Sequence, residues 1–449
     1  MGARLTDSAA YAHLWGTDEA RSIFDDDARV QTWLDVLVAL AEAQSELGII
    51  PISAASAIGA AGHVAMLDMH FVAAETRRTS HSTLGLINGL KRILPPDAAE
   101  HVYYGVTVQD ISDTATVLAM RAIAVVVERD LRALLTTLSD LAEAHQTTVM
   151  VGRTHGQPGA PVTFGLKAAS WADELARHLV RLGEGRSRWF VGQLGGAVGT
   201  LGFFGVQGPP LRALFCARLG LSDPGISWTA SRDRGAEFSH LLAMITGTLA
   251  RVGNEVMELQ RPEIGELRES TTADTVGSIT MPHKRNPERS EHLDTLARIV
   301  RSQSAVMLEA MVQIHERDGR GWKAEWFALP EVCLLTCTAL SFARDLIGGL
   351  EVDKTRMRAN IEANDGHLTS ERILSSLSPK LGKHQAQAQL QLLLAAAQQR
   401  HQSLTDAVVG AGLLTSEEVS ALIEDDRTPT VALAVTSTIR HIRALLADP

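Results

Sequence analysis

Cysteine is scarce in this chain: Cys216, Cys333 and Cys337 are the three found among 449 residues. A sparse, odd count excludes a disulfide framework and points to a reducing, cytoplasmic setting. Cys333 and Cys337 stand four apart on a predicted helix with no other ligand residues nearby, which favours buried apolar thiols over a metal pair. Positive charge is also in deficit. Lys and Arg total 42 against 52 Asp and Glu, a formal net charge of −10, and such a surface repels a phosphate backbone. No nucleic-acid partner is expected, although a locally basic pocket for an anionic substrate remains open. Long apolar runs are missing too. Residues 115–127 are apolar but short and interrupted by Arg121, so they read as a packed helix and no membrane span is expected. The start, Met1 to Asp7, has no apolar core and reads as no secretory signal. Its Met1-Gly2-Ala3-Arg4-Leu5-Thr6 fits a myristoylation pattern too permissive to carry weight. No G-x-x-x-x-G-K-[ST] phosphate loop, internal repeat or series of alternating strands is present.

What remains has ordinary globular composition, 45% hydrophobic and 21% charged, in a chain long enough for several domains. Residues 26–47 place Val30, Leu34, Leu37, Ala41 and Leu47 near helical spacing, with Asp25 to Asp27 as a cap and Gly48 and Pro51 as a stop. Five long segments of helical composition follow, at about 115–146, 161–182, 236–260, 288–316 and 329–350. Their apolar residues spread broadly around each helix, which calls for neighbours along the whole length: a long bundle, with faces left for other subunits. Short strands are allowed near Met150–Val151 and near Trp228.

Three glycine-punctuated regions interrupt the helices. Residues 193–210 read as a turn-rich connector. Residues 277–287, GSITMPHKRNP, read as a loop, because Pro282 and Pro287 forbid a regular helix. It carries a hydroxyl (Ser278), a cation (Lys284) and an amide (Asn286), a set suited to stabilising charge that builds on a carboxylate. Residues 152–158, GRTHGQP, place His155 beside Arg153 and Thr154, a proton-transfer group next to anion-holding groups. Further upstream, residues 105–114, GVTVQDISDT, place Thr107 and Gln109 just outside a predicted helix N-terminus, favourable for an anion. Asp113 reads there as the cap of a helix starting near Ala115.

GSITMPHKRNP resembles the signature loop of the fumarase/aspartase superfamily, G-S-S-x-M-P-x-K-x-N-P. Gly277, Ser278, Met281, Pro282, Lys284, Asn286 and Pro287 match it, and Ile279 replaces a second serine. GRTHGQPGAPVTFG resembles a stretch shared by adenylosuccinate lyases and 3-carboxy-cis,cis-muconate cycloisomerases. GVTVQDISDT is similar to G-x-T-S-Q-D-x-x-D-T, with Val108 in place of the serine. Thr79-Ser80-His81-Ser82 resembles the T-x-H stretch of adenylosuccinate lyases, although Ser82 replaces the usual aspartate. Trp322-Lys323-Ala324-Glu325-Trp326 resembles the W-x-x-E-W of the cycloisomerases.

The resemblance implies an all-α fold of three helical domains, 1–110, 111–355 and 356–449, the middle one a bundle of five long helices. It implies a homotetramer with active sites shared between subunits. It makes Ser278 the base, Lys284 and Asn286 the groups that hold the growing charge, and His155 the acid. His81, Thr107, Gln109, Arg153 and Thr154 become substrate-binding residues. The partner is a small di- or tricarboxylate, and no cofactor or metal is required. Cyclisation of a carboxymuconate ranks first, because W-x-x-E-W and Val108 favour a carboxylic acid over a nucleotide. A lyase releasing fumarate from a succinyl adduct ranks second. A silent helical assembly protein is the alternative of another class, and the intact Ser278, Lys284, Asn286 and His155 set argues against it.

Overall fold

A computed structural model describes residues 4–271, 277–364, 366–424 and 428–448. It is all-α apart from two small two-stranded ribbons. Besides short helices at Asp18–Phe24 and Ile52–Ala61, the N-terminal part holds α1 (Asp26–Glu46), α2 (Met69–Thr79) and α3 (Leu84–Ile93). The Asp25 side chain caps α1 by accepting from Ala28 N–H at 2.8 Å, and Gly48 follows its end at φ +69°, as the sequence anticipates. A Cβ on Gly85 would overlap the Val72 carbonyl, so glycine is what lets α3 lie against α2.

Five long helices follow: α4 (Val108–Ala144), α5 (Phe164–Trp189), α6 (Asp233–Gln260), α7 (Glu288–Glu309) and α8 (Gly319–Gly348). They are the five segments expected from the sequence, with shifted ends. α4 begins at Val108 rather than near Ala115, so Asp113 is not its cap. Thr107 holds the cap position, and Asp110, three residues on, accepts from Thr107 N–H at 3.0 Å as the carboxylate arm of a capping box. α5 starts three residues later than expected because residues to Thr163 pair as a hairpin. Its strands are β1 (Val149–Thr154) and β2 (Gln157–Thr163). Pro158 and Pro161 fit there because a two-stranded ribbon has outward edges that need no N–H. α7 stops at Glu309, short of the expected 316. α8 begins ten residues before the expected 329 and runs through Pro330, its first turns held by buried Trp322 and Glu325. No strand forms at Trp228, whose N–H instead donates to Gln193 Oε1 at 2.9 Å.

The chain divides into two compact units, and each of the five long helices contributes residues to both. The first comprises Met1–Asp130, His178–Leu249 and Thr295–Ser341. Its core joins Leu34, Leu37 and Leu40 of α1 to Leu86 and Leu90 of α3, Ile111 and Val117 of α4, and Phe215 and Trp228. The second comprises Leu131–Arg177, Ala250–Asp294 and Phe342–Pro449. It holds the β1–β2 hairpin, a short ribbon of Leu267–Arg268 with Glu351–Val352, and a small separate core. Ile373, Leu377, Leu390, Leu404 and Val408 form that core between helices Ser370–Leu381, Lys383–Gln399 and Leu404–Gly410.

α8 is long and apolar enough to cross a membrane by composition alone, with a mean hydropathy of 1.5 in its most apolar window. Most of that window is buried inside the protein, and the helix places Glu325 in a buried pair with Arg232, so it is a core helix.

Candidate active site

The signature loop folds back on itself. A Cβ on Gly277 would overlap the Lys284 carbonyl, so only glycine permits this approach. Met281 N–H donates to Ser278 Oγ at 3.0 Å, and Lys284 N–H donates to the Met281 carbonyl at 2.9 Å. Ser278 Oγ is thus fixed as an acceptor and keeps its proton for another partner. Lys284 is exposed, and among the described residues its ammonium has no ion-pair partner. Asn286 Nδ2 donates to Glu288 Oε1 at 3.1 Å.

Buried Glu269 and half-buried Gln260 pin the ends of this loop. Glu269 accepts from Arg289 N–H at 3.1 Å, Ser290 N–H at 2.8 Å and the Ser290 hydroxyl at 2.6 Å, capping the first turn of α7. Gln260 accepts from Glu269 N–H at 2.8 Å and donates to the Arg285 carbonyl at 3.2 Å. The last residue of α6, the segment before the loop and the helix after it are therefore tied together. Neither Glu269 nor Gln260 stands out in the sequence.

His155 sits at the tip of the β1–β2 hairpin. Thr154 pairs with Gln157, and the two-residue turn between them has φ +53° at His155 and +73° at Gly156. Two positive φ values in a two-residue hairpin loop define the type I′ turn, which favours Asn-Gly or Asp-Gly. A histidine there costs about 1 kcal/mol of backbone strain relative to glycine. His155 and Thr154 are exposed. Arg153 is different: its Nη1 and Nη2 donate at 2.8 and 2.9 Å to the two oxygens of fully buried Glu266, which also accepts from Asn360 Nδ2 at 2.8 Å. The sequence offered Arg153 as an anion holder, and the anion the structure gives it is Glu266. No hydrogen bond joins His155 or Thr154 to the signature loop among the described residues.

His81, Thr107 and Gln109 lie in the first unit. His81 Nδ1 accepts from Leu84 N–H at 3.2 Å and weakly from Thr83 N–H at 3.4 Å, holding the start of α3. Thr107 Oγ1 accepts from the guanidinium of Arg317, a cation that sequence reading missed because it is 210 residues away. Gln109 lies inside the first turn of α4, fully buried, with Nε2 donating to the Thr229 carbonyl at 3.0 Å.

Asp110 organises this corner. Its carboxylate accepts from Gly195 N–H at 2.8 Å, Gly196 N–H at 3.0 Å and Gln193 Nε2 at 3.2 Å, besides Thr107 N–H. Burial pushes its pKa up to about 6 despite those four donors. The glycine-rich connector is thereby clamped to the N-terminus of α4. The W-x-x-E-W segment also turns inward. Trp322 Nε1 donates to Asp113 Oδ1 at 2.9 Å, Arg232 Nη1 donates to Asp113 Oδ2 at 2.6 Å, and Arg232 Nε donates to Glu325 Oε1 at 2.8 Å. Its polar groups tie α8 to α4 and α6, so they give no ground for choosing a muconate over another carboxylate. Among the described residues no cluster of three or more His, Cys, Asp or Glu side chains is arranged to hold a metal.

Comparison with known proteins agrees with this arrangement of motifs. The family described as lyase matches residues 15–301. N-acetyl-S-(2-succino)cysteine lyase of Dickeya dadantii is 40% identical over 386 residues, covering 86% of this chain and 85% of the relative. 3-Carboxy-cis,cis-muconate cycloisomerase of Pseudomonas aeruginosa is 37% identical over 403 residues, covering 89% and 88%. The crystal structure of 3-carboxy-cis,cis-muconate lactonizing enzyme from Pseudomonas putida superposes with a TM-score of 0.90 at 32% identity, covering 98% of this chain and all of that one. The chain belongs to the fumarase/aspartase superfamily of lyases, in the branch of the adenylosuccinate lyases and carboxymuconate cycloisomerases, and it is an enzyme of that superfamily.

Proposed function

We propose that this enzyme is a fumarate-releasing lyase acting on a 2-succinyl adduct, foremost a thioether of the N-acyl-S-(2-succino)cysteine kind. The observation that carries this reading is the 40% identity to a lyase of that name across 86% of the chain. The inward-facing Trp322 and Glu325 remove the ground for ranking the cycloisomerase first. That second reading keeps the support of the 37% identity to the cycloisomerase and the TM-score of 0.90 to the lactonizing enzyme.

Ser278, acting as its alkoxide, takes the proton from the carbon next to a substrate carboxylate and becomes the neutral hydroxyl. The electron pair passes into that carboxylate, and Lys284 with Asn286 holds the aci-carboxylate charge. The carbon–sulfur bond then breaks, the pair collapses to the double bond of fumarate, and His155 protonates the leaving thiolate. Ser278 is a poor base in water and acts once the loop excludes solvent and sets positive charge beside it. Thr107, Thr154 and His81 bind the substrate, with Arg317 adding positive charge at Thr107, whereas fully buried Gln109 ties the first turn of α4 to Thr229 and does not touch it. Arg153 acts through Glu266 by fixing the hairpin that presents His155. The site is completed between subunits of a homotetramer, and the chain divides functionally at 1–110, 111–355 and 356–449. The substrate is the one small-molecule partner, with no cofactor, in a cytoplasmic setting.

The test is NMR product analysis with N-acetyl-S-(2-succino)cysteine and 3-carboxy-cis,cis-muconate supplied together at equal concentration. Fumarate and free thiol support the proposal. Lactone without fumarate transfers the assignment to the cycloisomerase.

A further inference from the structure

A cavity of about 420 Å³ lies within the first unit, between α1, α2, α3, α4 and α8. This is within the size range of pockets that hold small organic molecules, about 300–1,000 Å³. It belongs to none of the roles assigned above. Its walls are largely apolar and include Phe24, Trp33, Val72, Leu86 and Trp326. Trp33 and Trp326 meet edge to face with ring centroids 6.2 Å apart, and Trp322 braces Trp326 from behind at 4.7 Å.

The polar groups of the wall determine what fits. Five hydroxyls line it. Four donate their protons to the carbonyl four residues back on their own helix, Thr32 to Ala28, Thr76 to Val72, Ser112 to Val108 and Thr116 to Ser112, and present oxygen lone pairs to the cavity. The fifth, Ser82, can both donate and accept. Asp113 and Glu325 also line it, and both carboxylates are engaged by Arg232. The one cation of the lining, Arg29, sits exposed beside Asp26 at 3.8 Å and donates to the Phe24 carbonyl. An anion would face two buried carboxylates set against one guanidinium, an excess of one negative charge that a neutral or cationic ligand does not oppose.

We propose that this cavity is a binding site for a small molecule that carries no negative charge and has an aromatic or branched apolar body with at most a hydroxyl- or ammonium-like donor. The indole edges of Trp33 and Trp326 hold the apolar body, and the hydroxyl oxygens accept the donor. The site does not depend on the lyase assignment, because its occupancy is read without turnover.

The experiment uses the full-length protein with benzyl alcohol as probe, benzoate as its anionic counterpart and benzylamine as its cationic one. Isothermal titration measures affinity, and fluorine NMR of fluorotryptophan-labelled protein locates the ligand. Benzyl alcohol is expected to bind saturably and to shift the Trp33 and Trp326 resonances, identified by Trp→Phe substitution. Benzoate is expected to bind at least about tenfold more weakly than benzyl alcohol and benzylamine, 1.4 kcal/mol or more. Ala119→Phe, which fills the cavity from α4, should abolish the shifts while circular dichroism stays unchanged. If that variant misfolds, the wild-type resonances decide. Absence of benzyl alcohol binding, shifts confined to other tryptophans, or equal affinity for benzoate would each overturn the proposal.

Discussion

Arg153 and Glu266 lie 113 residues apart and meet in a two-point ion pair, with Nη1 and Nη2 donating at 2.8 and 2.9 Å. Glu266 is completely buried and follows α6, whereas Arg153 lies near the end of β1, two residues before His155. The pair ties the hairpin that carries the proposed acid to the segment that leads into the signature loop.

Arg153→Met should therefore leave a buried carboxylate without its cation. The expected loss is about 3–5 kcal/mol of stability, seen as a lower denaturant midpoint. An unchanged midpoint would mean that Glu266 is satisfied without Arg153.

Asp110 supplies a pH signature. Its folded pKa of about 6 lies above an ordinary 3.8, so between these values the folded state holds the proton more tightly than the unfolded state. Stability from this group is full below pH 3.8 and is lost as pH rises through 6. At about 1.36 kcal/mol per unit, the wild type should lose about 3 kcal/mol relative to Asp110→Asn over that interval. Denaturation series from pH 4 to 7 check this, and parallel curves for the two proteins contradict it.

His155 separates folding from chemistry. His155→Gly removes the strain of φ +53° and should match or exceed wild-type stability. Turnover should fall by about 10²–10⁴, the usual contribution of a general acid. Retained turnover in this variant would reduce His155 to a turn residue.

Shared sites give a mixing test. Ser278→Ala and His155→Gly homomers should each be nearly inactive, and hybrids formed by dissociating and reassembling the two should recover activity. Hybrids as inactive as their parents, with mixed assembly confirmed by mass spectrometry, would place both residues in one subunit's site.

The helical fold was legible in the sequence because long apolar segments carry the period of a helix whatever they pack against. The ends were not. α4 starts seven residues early because Asp110, not Asp113, supplies the capping carboxylate, and α8 starts before Pro330 because distant Asp113 and Arg232 hold Trp322 and Glu325. Ser278, Lys284, Asn286 and His155 were legible as local motifs. Glu266, Glu269 and Arg317 were not, since each takes its meaning from a partner that folding brings near.

The most direct measurement follows fumarate released from N-acetyl-S-(2-succino)cysteine by wild-type protein and by Ser278→Ala, both shown by circular dichroism to be folded. Wild type should release fumarate and free thiol in equal amounts, and the variant should lose turnover by about two orders of magnitude or more. No fumarate from the wild type would contradict the lyase assignment, and equal rates from the two proteins would remove Ser278 from the chemistry.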